Sequence, residues 1–295
     1  MKFTQLPLGL LPALALMLLT QLVSAQEKRI LVHNQGSDSM TIAVIGWTEA
    51  FQRTRRHRGI SVSGGGSGTG IAALTNGTVS IANASRPMTN MEIERAAKHD
   101  INPVEHFVGR DAVALFVHKN NLIDSITLEQ LNGIFARRGK TEKWTDLGIE
   151  VAGCKDQKII RVSRQSSSGT HSFVRKQLLG GGRFKLGTLQ SHSSKDIVEL
   201  IEKTPCAIGY SSYAYGSSEV KTLCIAEEDG GPCIYPSIAA VSDASYPLSR
   251  PLFMYTNGEP QGVVKEYIDW VLDDEGQCIL LQKQYAPIRK VTCGG

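Results

Sequence analysis

The chain shows one local pattern at three places, and this pattern limits the folds open to it. A strand-like apolar run is followed by a turn rich in glycine and hydroxyl side chains, and the turn opens a helix-like run. The three turns cover residues 36–40, 64–70 and 164–170. Strands that alternate with helices in this way predict an α/β fold, with sheets that carry helices on both faces.

The residue types in these turns favour a bound anion. A helix start presents backbone N–H groups at the positive end of the helix dipole. Glycine lets a ligand approach the backbone, and serine or threonine adds hydroxyl donors. The third turn also has Arg164, whose guanidinium suits a tetrahedral oxyanion. Because such turns converge at the carboxyl ends of strands, we expect one shared oxyanion site. For the third turn alone, an ordinary helix cap beside a solvated Arg164 is the alternative.

Several other functions are disfavoured by what the sequence lacks. The turn at 64–70 does not fit the dinucleotide-binding glycine pattern, since Thr69 or Ile71 takes the place of the final glycine, and it lacks a Gly-Lys-Ser/Thr ending. The histidine and cysteine spacings indicate no metal site, and we expect no cofactor. The net charge of +4 is mild, and basic runs with interleaved aromatic residues are missing, so nucleic acid is not an expected partner.

The first 25 residues are typical of a secretory signal peptide. Lys2 gives the charged start, residues 8–19 give the apolar segment, and Val23-Ser24-Ala25 gives a small-residue cleavage site. No cysteine precedes Cys154, so bacterial lipid attachment is not expected. We therefore predict an exported, periplasmic protein cleaved after about Ala25.

The six cysteines all follow the predicted signal peptide. An even number of cysteines in an oxidising compartment indicates structural disulfides. Two of them directly precede predicted buried strands, and the other four can close two short loops. The predicted pairs are Cys154–Cys206, Cys224–Cys233 and Cys278–Cys293.

Two apolar strands suggest a two-lobed organisation. The predicted strands cover residues 111–118 and 252–256. If they lie side by side as a hinge, residues 26–110 plus 247–295 form the first lobe, and residues 111–246 form the second.

Together these segments resemble the phosphate-binding proteins of bacterial high-affinity phosphate ABC transporters. The resemblance covers nearly all of the mature sequence. Its most specific segments are Arg164-x-x-x-Ser168-Gly169-Thr170 and Tyr-Pro-Leu-Ser-Arg-Pro-Leu at 246–252. Further matching segments are residues 36–40, 64–70, 81–87 and 207–210.

The resemblance implies a fold, a function and a set of ligand residues. The fold is that of type II periplasmic binding proteins, in which two lobes, each a sheet flanked by helices, join through a two-strand hinge. The function is that of a monomeric receptor, not an enzyme, that buries inorganic phosphate between its lobes and delivers it to a membrane permease. The implied phosphate ligands are Ser37, Asp38, Ser39, Met40, Ser67, Ser85, Arg86, Arg164, Ser168, Gly169 and Thr170.

One position departs from part of this family. Some members have an aspartate where this chain has Arg86, and that aspartate can accept the proton of hydrogen phosphate. Sulfate has no such proton, so an acceptor at this place distinguishes the two anions. In this chain Asp38 is the nearest candidate acceptor within the three turns, although an aspartate at a helix start is also a common structural cap. We expect Arg86 either to stabilise the more highly charged anion or to pair with Asp38.

Two other functions and one further residue stay open at this point. The same fold could serve phosphate sensing or surface interaction without a transporter. A secreted phosphatase using Ser168 and His171 is the third possibility, although the Gly-x-Ser-x-Gly motif is absent. Arg250 could orient the hinge or form a structural ion pair.

Overall fold

The computed structural model describes residues 30–55 and 57–294. These residues form twelve β-strands, which make a nine-stranded sheet and a separate three-stranded sheet. The strands are β1 (Ile30–Gly36), β2 (Arg58–Ser63), β3 (Ile81–Ala84), β4 (Pro103–His118), β5 (Ser125–Thr127), β6 (Ile160–Arg164), β7 (Leu189–Ser191), β8 (Ala207–Ser212), β9 (Val220–Thr222), β10 (Cys224–Ala226), β11 (Cys233–Ile234) and β12 (Ser249–Asn257).

Nine α-helices lie within the same described residues. They are α1 (Thr41–Thr54), α2 (Ser67–Thr75), α3 (Asn90–Ala97), α4 (Leu128–Phe135), α5 (Gly169–Leu179), α6 (Ser194–Glu202), α7 (Ile238–Ser242), α8 (Gly262–Leu272) and α9 (Asp274–Gln282). Short 3-10 helices cover Asp38–Met40, Trp144–Leu147 and Tyr213–Tyr215.

The large sheet consists of two halves that share strand β4. The strand order is β2-β1-β3-β12-β4-β8-β6-β7, and β9 also pairs with β4. Strand β4 pairs with β12 through Ala112 and with β8 from Val113 onward. We call the half with β1, β2, β3 and β12 the first lobe and the half with β6, β7, β8 and β9 the second lobe. The α/β, two-lobed fold with two adjacent hinge strands is thus confirmed, whereas the boundaries predicted at 110/111 and 246/247 stay a prediction.

Each lobe has its own buried apolar core. In the first lobe the Phe51 ring packs edge-on against Tyr267 and Trp270, at centroid distances of 5.1 and 5.6 Å. In the second lobe the Phe135 ring packs edge-on against Tyr210 at 5.7 Å. Edge-to-face pairs of this kind add stability beyond their buried area. These cores hold the strands whose carboxyl ends carry the predicted turns.

All three predicted disulfides are present. Cys154 pairs with Cys206, which precedes β8. Cys224 in β10 pairs with Cys233 in β11, and Cys278 in α9 pairs with Cys293. The three bonds thus fix the start of β8, the β10–β11 pair and the C-terminal segment after α9.

Two elements begin earlier in the chain than the sequence predicted. Strand β4 starts at Pro103, not at 111, because its partly polar first half pairs with β12 along its whole length. Helix α2 starts at Ser67, inside the turn predicted over residues 64–70, although its first turn is rich in glycine. At Gly70 a Cβ atom would lie 2.4 Å from Gln35 O, so this helix packs directly against the β1 backbone.

No helix among the described residues has the length and apolar character needed to cross a membrane. The predicted signal peptide, residues 1–25, lies outside the described residues.

Candidate functional site

Four buried serine hydroxyls from three segments of the first lobe meet at the carboxyl ends of its strands. Ser37 Oγ donates to Ser85 Oγ at 2.9 Å and lies 3.0 Å from Ser39 Oγ. Ser67 Oγ lies 3.3 Å from Ser85 Oγ and accepts the Ser85 backbone N–H at 3.0 Å. All four side chains are buried. The structure therefore brings together the serines predicted from the first two turns and from the segment after β3.

The start of α5, in the second lobe, faces this serine cluster. Gly169 and Thr170 are both buried. A Cβ atom on Gly169 would lie 2.3 Å from Ser67 Oγ and 2.5 Å from Ser85 Oγ. Because such distances are far below van der Waals contact, the two lobes can approach this closely only with glycine at this position.

Ser168 acts as the N-cap of α5. Its Oγ accepts the backbone N–H groups of Thr170 at 3.1 Å and His171 at 3.4 Å. The His171 ring lies against Phe184, with ring centroids 4.8 Å apart, and burial lowers its pKa. Ser168 thus lies beside the site as a helix cap, while His171 packs against an aromatic ring.

Arg164 is fully buried and pairs with Asp38 across the two lobes. Its Nη2 lies 3.1 Å from Asp38 Oδ1 and donates to His192 O at 2.9 Å, while Nη1 donates to Ser194 Oγ at 2.7 Å. The Ser194 backbone N–H donates to the same Asp38 Oδ1 at 2.6 Å. Burial lowers the pKa of Arg164, and the charge of Asp38 opposes that shift. The guanidinium is therefore held as a cation in one orientation.

The Nε atom of Arg164 is buried and has no hydrogen-bond partner within the protein. A buried donor without an acceptor costs free energy, and a charged donor costs more than a neutral one. This atom therefore indicates that the site is built for an additional acceptor.

A second buried arginine, Arg250, contacts the site from the hinge. Its Nε and Nη2 donate to Asp111 Oδ2 at 3.0 and 2.6 Å, and neither side chain is exposed. The guanidinium also donates to Thr170 Oγ1 and Ser39 Oγ, both at 2.9 Å. Both expectations for Arg250 apply: it forms a buried ion pair, and it joins the hinge to both lobes.

Arg86 differs from its expected pairing. Its Nη1 and Nη2 donate to the Glu92 carboxylate at 2.8 and 2.7 Å. Asp38 pairs with Arg164, so the alternative in which Arg86 pairs with Asp38 is wrong. Burial on its own would raise the pKa of Glu92, but the Arg86 hydrogen bond and the Thr89 N–H together lower it. Arg86 is thus tied to the start of α3 beside the site.

Met40 lies next to the serine cluster in a supporting position. Its side chain is buried in the apolar core of the first lobe, and its backbone N–H donates to Ser37 O at 3.0 Å.

Direct hydrogen bonds hold the two lobes together around the site. Gly65 O accepts from Gln165 Nε2 at 2.9 Å and from Ser167 Oγ at 3.1 Å. Gly68 N donates to Ser167 O at 2.9 Å. The structure therefore shows the lobes in contact, with the predicted turns on facing sides.

Three residues of the site were not predicted from the sequence. Asp111 binds Arg250, Ser194 binds both Arg164 and Asp38, and Tyr215 OH donates to Asp38 O at 2.8 Å. Asp111 gave a usable signal, because a charged residue at the start of an apolar strand requires a partner. Ser194 and Tyr215 gave none, since serine at a helix start and tyrosine after a strand are common everywhere.

Across residues 30–55 and 57–294, histidine, cysteine, aspartate and glutamate form no group of three or more that could hold a metal ion. The polar groups of the site are hydroxyls, backbone N–H groups and two arginines paired with carboxylates. Such a set suits an oxyanion better than a cation.

Comparison with known proteins agrees with this geometry. The family model described as the PBP superfamily domain matches residues 23–275. The phosphate-binding protein PstS of Bacillus subtilis is 31% identical over 264 residues, covering 87% of this chain and 81% of that protein. The protein of the same name from Pseudomonas aeruginosa is 28% identical over 264 residues, covering 86% and 81%.

A solved structure of similar fold comes from Clostridium perfringens. It has been assigned to the substrate-binding proteins of phosphate ABC transporters and contains bound phosphate. It is 28% identical, with a TM-score of 0.77, and the match covers 88% of this chain and 100% of that one. With a family match over most of the chain and a relative above 30% identity, this chain belongs to the PBP superfamily and, within it, to the PstS-like proteins.

Proposed function

We propose that this protein is an exported receptor that captures inorganic phosphate between its two lobes and delivers it to an ABC permease. The observation that carries the proposal is the buried, unpartnered Nε of Arg164, whose guanidinium pairs with Asp38 between Ser37 and Ser39 of the buried hydroxyl cluster. The names of the relatives from Bacillus subtilis and Pseudomonas aeruginosa and the phosphate in the Clostridium perfringens structure support the choice of anion.

The chemistry of the site fits a small tetrahedral oxyanion. Four phosphate oxygens need many donors, and buried hydroxyls from both lobes supply them. Arg164 and Arg250 are each paired with a carboxylate, so the site adds little net charge. The anion is then held by oriented dipoles and charge-assisted hydrogen bonds.

We propose different roles for the predicted ligands, supported by their contacts. Met40 and Arg86 hold the surrounding backbone, since Met40 packs in the core and Arg86 binds Glu92. Asp38 supplies the acceptor for the proton of hydrogen phosphate. The donors that we propose for phosphate are Ser67, Ser85, Arg164, Gly169 and Thr170. Ser37 and Ser39 hold Ser85 in place through hydrogen bonds, and Ser168 fixes the start of α5.

Transport implies several further properties, which belong to the same proposal. The protein acts in the periplasm after cleavage near Ala25, works as a monomer, and divides into lobes at 26–110 plus 247–295 and 111–246. Phosphate favours the closed state because donors from both lobes reach it only when the lobes meet.

Phosphate capture, as opposed to phosphate-ester hydrolysis, is tested by measuring both on one preparation. Labelled phosphate is bound to ligand-free protein at equilibrium, and hydrolysis of p-nitrophenyl phosphate is followed in parallel. We expect one phosphate per chain and no turnover, because His171 packs on Phe184 and is not placed as a base for Ser168. Turnover that disappears in Ser168→Ala would instead establish a phosphatase.

A further inference from the structure

Arg250 occupies a junction between the hinge and both sides of the site. It lies on β12, pairs with Asp111 on β4, and is fully buried. It contacts one hydroxyl from each lobe, Ser39 Oγ and Thr170 Oγ1. Four of its five N–H groups are used in these contacts with Asp111, Ser39 and Thr170.

The chemistry of a guanidinium fixes the direction of these hydrogen bonds. Arginine can only donate, so Ser39 Oγ and Thr170 Oγ1 accept from Arg250. A hydroxyl has one proton, and here that proton must point away from Arg250. Each of the two hydroxyls is thereby made a donor toward some other group.

On the first lobe this direction passes along a chain of serines. The Ser37 proton goes to Ser85 Oγ, so the 3.0 Å contact between Ser39 and Ser37 must use the Ser39 proton. Ser67, 3.3 Å beyond Ser85, already accepts the Ser85 backbone N–H. The protons left over at the end of the chain are those of Ser85 and Ser67, where Gly169 of the second lobe approaches.

We infer that Arg250 is a positioning residue that orders these hydroxyls as donors toward the bound anion, without being its main ligand. The inference rests on the proposed capture of phosphate. Hydrogen bonds in a chain polarise one another, and a charged first donor strengthens the later ones. Donors that cannot turn into acceptors favour phosphate oxygens that carry no proton, and hence the dianion over the monoanion.

The primary test compares Arg250→Met with Arg161→Met by phosphate calorimetry on the mature protein. Arg161 is a matched control because it is also buried, on a strand, and paired with a carboxylate, Glu142, but it does not contact the site. We expect Arg250→Met to weaken phosphate binding about 10- to 100-fold, the effect of losing one or two charge-assisted hydrogen bonds. The Arg161 variant should keep the wild-type affinity.

If Arg250→Met does not fold, the smaller substitution Ser39→Ala tests the same chain of hydrogen bonds. Ser39→Ala removes the first serine of the chain and leaves the Arg250–Asp111 pair in place. We expect phosphate affinity to fall in this variant too. Where both variants fold, their effects should be less than additive when combined, because they interrupt the same chain.

The pH profile separates positioning from a purely structural role. Between about pH 5.5 and about pH 8 phosphate changes from monoanion to dianion. Wild-type affinity for phosphate should rise over this range. The rise should be smaller in Arg250→Met and in Ser39→Ala, because serine hydroxyls that can turn also accept a hydrogen bond from the P–OH group of the monoanion. Burial raises the pKa values of the nearby Tyr210, Tyr215 and Tyr285. Asp38, Arg164 and His192 are the other charged or titratable groups around the chain, and the wild type and both variants share them. Burial raises the pKa of Asp111 and Arg250 lowers it, so Arg250→Met also changes this carboxyl. The profile of Ser39→Ala, which keeps the Arg250–Asp111 pair, is therefore the deciding one.

The outcomes distinguish this inference from the proposed function. If wild-type protein does not bind phosphate, the proposed function fails first. If wild type binds and Arg250→Met or Ser39→Ala binds equally well with an unchanged pH profile, the function stands and the positioning role of Arg250 is wrong. If Arg250→Met and Arg161→Met lose phosphate affinity equally, Arg250 has only a structural role.

Discussion

At the scale of single residues, the Asp38 carboxylate binds Arg164 and, in our proposal, also accepts a proton from the anion. Its Oδ1 takes the Arg164 guanidinium and the Ser194 backbone N–H. Because Oδ1 is used in this way, we propose Oδ2 as the acceptor for a proton on the anion. A carboxylate in this place repels an anion that has no proton to offer.

Replacing Asp38 by asparagine should change anion selectivity, and it should also destabilise the ligand-free protein because the buried Arg164 loses its carboxylate partner. The new side-chain amide keeps an oxygen for the Ser194 N–H but loses the charge. We expect Asp38→Asn to narrow the preference for phosphate over sulfate by about tenfold, equivalent to about 1.4 kcal/mol. Calorimetric titration with both anions measures the ratio. Asp196→Asn is the control, because Asp196 caps α6 nearby without reaching the site. An unchanged ratio in Asp38→Asn would contradict this role.

Gly169 gives a steric prediction at the same scale. Because a Cβ atom would meet Ser67 Oγ and Ser85 Oγ, Gly169→Ala should keep the lobes apart. We expect phosphate affinity to fall at least about 100-fold, as for a misplaced binding group. At Gly64 a Cβ atom meets ordinary contacts of 3.7 Å or more, so Gly64→Ala should bind nearly normally. Similar affinities for the two variants would show that the lobes need not meet at Gly169.

Several residues of this site could be predicted from the sequence, and others could not. Arg164, Gly169 and Thr170 follow from a strand, a hydroxyl-rich turn and a helix that are adjacent in the chain. Asp111 and Ser194 depend on how distant segments cross in space, which local patterns do not encode. Arg86 follows Ser85 as the sequence shows, but its pairing with Glu92 depends on how the start of α3 folds back toward β3.

At the scale of elements, the start of α3 links a helix cap to the site. Thr89 and Glu92 form a capping box, and Glu92 also binds Arg86, which follows Ser85. Such a cap satisfies backbone groups that would otherwise be unpaired. The position of Ser85 thus depends on a charged side chain in the next element.

The lowered pKa of Glu92 predicts a dependence of stability on pH. A carboxyl with a lowered pKa in the folded state stabilises the fold above the ordinary glutamate range, and this contribution is lost as pH falls through the folded pKa. Glu92→Gln should therefore destabilise the protein at neutral pH and approach wild type in acid. Denaturant unfolding at several pH values measures the difference. Glu94→Gln, at an exposed position of the same helix, should show no comparable trend. A constant difference at all pH values would contradict this account.

The disulfides give a prediction about the stability of the elements that they join. Loop-closure entropy predicts a stabilisation of about 4 kcal/mol for Cys154–Cys206, about 3 for Cys278–Cys293 and about 2.5 for Cys224–Cys233, following their separations of 52, 15 and 9 residues. When each pair is replaced by two serines, equilibrium unfolding should show the largest loss of stability for Cys154–Cys206 and the smallest for Cys224–Cys233. Phosphate affinity should stay unchanged in all three variants. The opposite order would show that local contacts outweigh chain entropy.

The elements themselves show where sequence patterns are sufficient. Apolar residues predicted β1, β6 and β12 because each strand places apolar side chains in the core, such as Val32 in β1, Val162 in β6 and Met254 in β12. The first half of β4 contains Glu105, His106 and Arg110, so its strand character depends on pairing with β12. The early start of α2 depends on its close approach to β1, which overrides the low helix propensity of glycine.

At the scale of the whole molecule, the two lobes meet through residues that we assign to the anion and through residues beside them. Arg164 binds Asp38, Gly68 binds Ser167, and Arg250 joins the hinge to both sides. A ligand that binds the closed arrangement more tightly than the open one shifts the protein toward closure by that difference in affinity. Closure is therefore the link between the buried hydroxyls and delivery to a permease.

The most direct test is calorimetric titration of phosphate, and then sulfate, into mature protein freed of ligand by partial unfolding and refolding. We predict one phosphate per chain with a dissociation constant at or below about 1 μM. Sulfate should bind much more weakly, and Arg164→Ala should abolish phosphate binding. Absence of phosphate binding, or tighter binding of sulfate, would contradict the account.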